Sequence, residues 1–133
     1  MHKRRSTWLL LLLYALSVLA GTGFAQRTSS YVFCQASPVL PDQTWYYPEI
    51  TSYTSPRTLN AVHHSWDAYL IESVGFRKDA NDRLWKGDDV YATRCRLYSN
   101  RDAAEKARND AIAERKSMKQ PWVEEPLWMY EDQ

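Results

Sequence analysis

Cysteine is scarce in this chain: 133 residues contain two, Cys34 and Cys95. Neither has a C-x-x-C partner, so a dithiol redox motif is excluded. Histidine is almost as rare, with three in all, and no Cys/His set has the spacing of a zinc site. No sign of charge dominates, since 17 Lys+Arg stand against 16 Asp+Glu, and nothing in that balance invites nucleic acid. A long apolar run is missing too. The one run present extends from Trp8 to Leu19, short of the ~20 residues that a bilayer-crossing helix needs. There is no G-x-S-x-G, and "DANDRLWKGDD" lacks the alternating ligand order of a calcium loop. No cofactor or metal is expected.

What is present begins with a leader. Residues 1–25, "MHKRRSTWLLLLLYALSVLAGTGFA", place Lys3, Arg4 and Arg5 before the apolar run and close on small residues ending at Ala25. That is the pattern of a secretory signal peptide. The expected product is therefore residues 26–133, periplasmic or secreted, with no stable membrane anchor. Cleavage removes three of the 17 basic residues and none of the 16 acidic ones, which tilts the balance slightly to acid. The remaining length suits one small domain that buries roughly 65% of its unfolded surface.

An oxidising compartment makes a Cys34–Cys95 disulfide the expected state. In the chain-entropy picture the link stabilises the fold by roughly 4 kcal/mol. Around Cys95 the residues alternate: Thr93, Cys95 and Leu97 point one way, Arg94, Arg96 and Tyr98 the other. If the disulfide lies in the core, Val32, Cys34 and Ala36 also face inward, and Tyr31, Phe33 and Gln35 face outward. The pairing thus predicts a sheet face that displays Tyr31, Phe33, Arg94, Arg96 and Tyr98.

Residues 31–37 and 44–53 are rich in aromatic and β-branched side chains, and "PVLPDQ" separates them; a hairpin or near-hairpin is expected. In "SPRTLNAVHHSWDAYLIESVGF", Ser55 reads as N-cap, Pro56 as the first helical residue and Gly75 as terminator, with Leu59, Val62, Trp66, Leu70 and Val74 as the apolar stripe. Residues 77–90 show no periodicity and many charges, the mark of a solvated loop with Leu84 or Trp85 tucked beneath it. Ser99 and Asp102 read as a capping box opening a helix to about Met118, whose inner face carries Ala104, Ala107, Ala111 and Ile112. A last strand around Trp122 meets Pro126, which confines it to an edge or ends it. The expected fold is a single small α+β domain in the order β-β-α-β-α-β, a mostly antiparallel sheet with two helices on one face. Its other face is open unless the tail, with Trp128 and Tyr130, folds over it.

Candidate chemistry is sparse. His63 and Asp67, four apart on a helix, read chiefly as ordinary surface partners. Glu124 and Glu125 are adjacent on a strand and point to opposite faces, which suits paired acid/base work poorly. The aromatic and arginine face is more suggestive, because stacking rings beside charge-assisted donors fit glycans, anions or a protein surface. Arginine over a ring is also a common cross-strand pairing that only stabilises a sheet.

The stretch "CRLYSNRDAAEKARNDAIAERK" followed by "WVEEPLW" resembles a group of small exported bacterial proteins, a likeness that implies no particular activity. The same last third of the chain is faintly similar to the second half of SPOR domains, through Ser99, Asp102 and Ala103 at the strand-to-helix start. That similarity implies binding of peptidoglycan glycan on a sheet face. The expected function is a non-enzymatic binding module of the bacterial cell envelope that recognises glycan or a protein partner through Tyr31, Phe33, Arg94, Arg96 and Tyr98. The alternatives are a small secreted hydrolase or metal-dependent enzyme on the His63/Asp67 helix face, and a structural or inhibitory interaction domain.

Overall fold

The alternation around the two cysteines is a strand pair. In a computed structural model that describes residues 29–54 and 58–130, Cys34 lies directly opposite Cys95 in an antiparallel ladder running from Tyr31↔Tyr98 to Pro38↔Tyr91, and the two are disulfide-bonded. The expected leader, residues 1–25, lies outside the described residues, as do Ser55 and Pro56.

The elements in chain order are β1 (Ser29–Pro38), β2 (Trp45–Pro48), β3 (Thr51–Thr54), α1 (Leu59–Tyr69) continued by a π-helical turn (Leu70–Val74), β4 (Arg77–Lys78), β5 (Leu84–Lys86), β6 (Asp89–Tyr98), α2 (Arg101–Ser117) and β7 (Trp122–Glu125). They form an α+β architecture around one mixed sheet of seven strands, ordered β4-β5-β6-β1-β2-β7, with β3 also beside β1. Every pairing is antiparallel except β2 with β7, which is parallel.

The expected second strand of the hairpin is split by a bulge. Ala36 pairs with Tyr46 and Val32 with Thr51, so four steps along β1 face five along the partner. A one-residue slip moves side chains to the other face of a sheet. It explains why Tyr46 and Tyr53 share one core although their positions differ by an odd number, while Tyr47 and Ile50 share the other.

Both faces of β1 are apolar, and each takes a helix. Val32, Cys34 and Ala36 pack with Val62, Trp66 and Leu70 of α1 and its π turn. Phe33, with Tyr31 alongside, packs with Ala104 and Ile112 of α2. The expectation of two helices on one face is thus corrected. With aromatic side chains on one side of β1 and aliphatic ones on the other, a helix on each face buries both. Trp66, Leu70, Val32 and Val62 are fully buried, and burial of such side chains stabilises a fold by roughly 1.5–3 kcal/mol each.

Local signals moved by a few residues. The N-cap of α1 is Thr58, whose Oγ1 accepts the Ala61 N–H at 3.3 Å, rather than Ser55. The cap of α2 is Asn100, whose Oδ1 accepts the Ala103 N–H at 2.8 Å, in place of the Ser99–Asp102 box. Asp102 instead sits in the first turn, where a carboxylate favours the helix dipole. Gly75 ends the π turn at φ 93°, a left-handed conformation that suits glycine.

Residues 77–90 are not the solvated loop that their charges implied but a short hairpin, β4–β5, with Leu84 buried. Asp79 organises its turn by accepting from the N–H groups of Asn81 and Arg83, from Arg83 Nε and from Trp85 Nε1, all within 2.8–3.0 Å. These donors, Trp85 foremost, hold its carboxyl far below the usual range. Among the described residues no helix is long and apolar enough to cross a membrane.

Candidate functional site: a groove between α2 and β6

The period of two along β6 puts Arg94, Arg96 and Tyr98 on the α2 side of the sheet and Thr93, Cys95 and Leu97 on the α1 side, as the alternation requires. On the α2 side the face is not open. The alanine stripe of α2 lies along it, and because alanine has little bulk the helix settles close over Phe33 and Tyr47. Between helix and strand remains a groove of about 290 Å³ lined by Phe33, Gln35, Arg94, Arg96, Tyr98, Ala107, Asp110, Ala111 and Glu114.

The expected site residues divide within this arrangement. Arg94 and Arg96 are exposed and line the groove, and half-buried Tyr98 joins them. Phe33 is 7% exposed and stacks on Tyr47 at 6.0 Å. It forms the floor and is not displayed to solvent, a correction that follows from the helix lying over it. Tyr31 is outside the groove lining and carries the Arg101 guanidinium 5.5 Å over its ring. Trp128 and Tyr130 do not cover this face. They pack into the opposite core, where the Trp128 ring lies 5.1 Å from that of Trp66.

Asp110 and Glu114 complete the helix wall, and sequence reasoning did not single them out. Their signal was there, since both flank the Ala107/Ala111 stripe one turn apart. Each already has a cation partner: Lys106 Nζ donates to Asp110 at 2.7 Å, and Arg115 Nη2 lies 3.2 Å from Glu114. The two arginines on the opposite wall differ, for among the described residues neither guanidinium makes an ion pair, a hydrogen bond or a ring contact. The groove therefore pairs an uncompensated cationic wall with a compensated acidic one over an aromatic floor. Such a geometry is suited to anionic groups at the sheet side.

On the other face, His63 and Asp67 are joined by a residue no motif pointed to. The Thr93 hydroxyl donates to Asp67 Oδ1 at 2.7 Å and lies 2.7 Å from His63 Nε2. With the hydroxyl proton directed at Asp67, Thr93 Oγ1 is left to accept, and His63 Nε2 is the donor of that pair. A nucleophilic triad needs the reverse, with the hydroxyl donating to imidazole and the carboxylate on the other ring nitrogen. The cluster ties α1 to β6. Among the described residues no group of three or more His, Cys, Asp or Glu side chains is placed to hold a metal. Glu124 and Glu125 do point apart: Glu124 meets Arg108 on the α2 side, and Glu125 accepts from the Tyr69 hydroxyl. Comparison with protein-family models, with curated proteins and with solved structures finds no match, so the chemistry of the groove stands on its own residues.

Proposed function

We propose that this protein is an exported binding module that holds a carboxylate-bearing segment of a cell-envelope ligand in the groove between α2 and β6. Arg94 and Arg96 recognise the anion, and Phe33 and Tyr98 supply the ring surface beneath it. The observation that carries this reading is the pair of arginines that line one cavity without a partner among the described residues. A guanidinium left free beside an aromatic floor is suited to bidentate capture of carboxylates. The leader pattern and the disulfide support export, and the faint similarity of the last third of the chain to the second half of SPOR domains is in keeping with an envelope polymer as the ligand.

The test is co-sedimentation of the oxidised protein with purified cell-wall sacculi, alongside retention on immobilised uronate polysaccharide and polyglutamate. The same is done with the Arg94→Ala/Arg96→Ala variant. The expected result is that wild type is retained by at least one of these matrices and the variant is released, with melting temperatures within a few degrees of each other. Equal behaviour of the two proteins on every matrix would remove the groove as the site.

A further inference from the structure

Among the described residues one side of β6 is open. β5 pairs with it only from Asp89 to Tyr91, and from Ala92 to Tyr98 its one strand partner among the described residues is β1. The Cα atoms of Cys34 and Cys95 are 4.0 Å apart, the close spacing of a non-hydrogen-bonded pair in an antiparallel ladder. The N–H and C=O of Cys95 therefore point away from β1. By the same alternation so do those of Thr93 and Leu97. An edge that presents main-chain groups at every second residue is a template for another strand.

The side chains along this edge describe its occupant. Arg94 and Arg96 rise on the α2 side at about 6.8 Å spacing, the repeat of alternate side chains in any extended chain. On the α1 side Leu97 is 51% exposed and offers an apolar contact. A second copy of this chain fits poorly in the register that pairs most of this edge, because antiparallel pairing with Cys95 opposite Cys95 sets Arg94 against Arg96, and like charges directly opposite are destabilising. Asp110 and Glu114 limit how far an acidic side chain enters the groove.

We propose that the free edge of β6 takes a peptide segment of a partner protein as an added strand. Its carboxylates lie on alternate residues facing Arg94 and Arg96, and its apolar side chains lie between them facing Leu97. The proposal rests on the groove reading above and names the class of its ligand as an extended acidic peptide rather than a glycan.

The probe is an end-blocked octapeptide alternating valine and glutamate, titrated against the oxidised protein by fluorescence anisotropy. Its controls are a peptide of the same composition in block order and two versions of the alternating peptide, N-methylated on one or the other alternate set of amides. Expected are binding of the alternating peptide, a loss of about tenfold or more, equivalent to ~1.4 kcal/mol, in Arg94→Ala/Arg96→Ala and in the block-order peptide, and abolition by one N-methyl set but not the other. Amide exchange at Thr93, Cys95 and Leu97 should slow in the complex. Equal binding of alternating and block-order peptides, or tolerance of both N-methyl sets, would overturn strand addition. Failure of every peptide while sacculi or uronate polymer still bind in an arginine-dependent way also overturns it but leaves the groove reading intact. If nothing binds, both readings fall.

Discussion

Arg108 Nε donates to the carbonyl oxygen of Pro48 at 2.7 Å, joining residues that are 60 apart in the chain. The bond falls where the strand opposite β1 bulges, and the guanidinium also reaches Glu124 at 3.1 Å and Glu49 at 3.6 Å. One buried side chain thus fastens α2 to β2 and β7. Replacement by methionine keeps the aliphatic stem but leaves the Pro48 carbonyl unpaired. The expected cost is roughly 1.5–3 kcal/mol, the range for hydrogen bonds to a charged group, read as a lower urea midpoint at unchanged m-value. Glu124→Gln, at the exposed end of the pair, should cost well under half as much.

The disulfide closes a separation of 61 residues, and Cys34 is fully buried. Reduction, or Cys34→Ala with Cys95→Ala, should lower stability by roughly 4 kcal/mol, measured by urea unfolding with and without reductant. A loss below about 1 kcal/mol would mean that the β1–β6 ladder holds the core unaided.

Trp128 fills the α1-side core, 3% exposed, with its Nε1 donating to Ser65 Oγ at 3.3 Å. Trp128→Ala should destabilise by about 3–5 kcal/mol, as large-to-small core changes do. Trp128→Phe, which keeps a ring against Trp66, should recover most of that. Thermal unfolding of the two variants side by side separates lost packing from the lost hydrogen bond.

Asp79 gives the fold an acid limit. Its carboxyl titrates far below the ordinary range in the folded chain because Trp85, Arg83 and Asn81 donate to the ionised form. A depressed carboxylate binds more protons when unfolded. Its contribution is therefore present above the unfolded value of about 3.9 and is lost as pH falls below it. Urea unfolding from pH 5 down to pH 2 should show a steeper decline for wild type than for Asp79→Asn, which starts less stable and has less to lose. Parallel curves would exclude the turn as the source.

The central strands were legible in the sequence because a period of two is unambiguous once one residue is fixed. With Cys95 turned toward the core, the sides taken by Arg94, Arg96, Tyr98, Thr93 and Leu97 all followed. The placement of the helices did not follow. Tyr31 and Phe33 on one face of β1 and Val32, Cys34 and Ala36 on the other are both apolar enough to demand cover, and no local signal says which helix goes where. Thr93 stayed invisible for a related reason: its partners His63 and Asp67 are contributed by a distant helix. The β4–β5 hairpin hid because strands of two and three residues carry no periodicity, and the bonds that close its turn come from one aspartate side chain.

The parallel pairing of β7 with β2 sets when this chain can finish folding. Until residues beyond 122 are free, β2 has one bare flank, and until residue 128 is free Trp66 lacks the ring that completes its core. A polypeptide emerging N-terminus first, from a ribosome or through a translocation channel, thus meets its partners in the wrong order for early completion. Such distant pairings slow the final step. For a chain exported as proposed above, staying unfinished for longer preserves the threadable state that passage across a membrane requires.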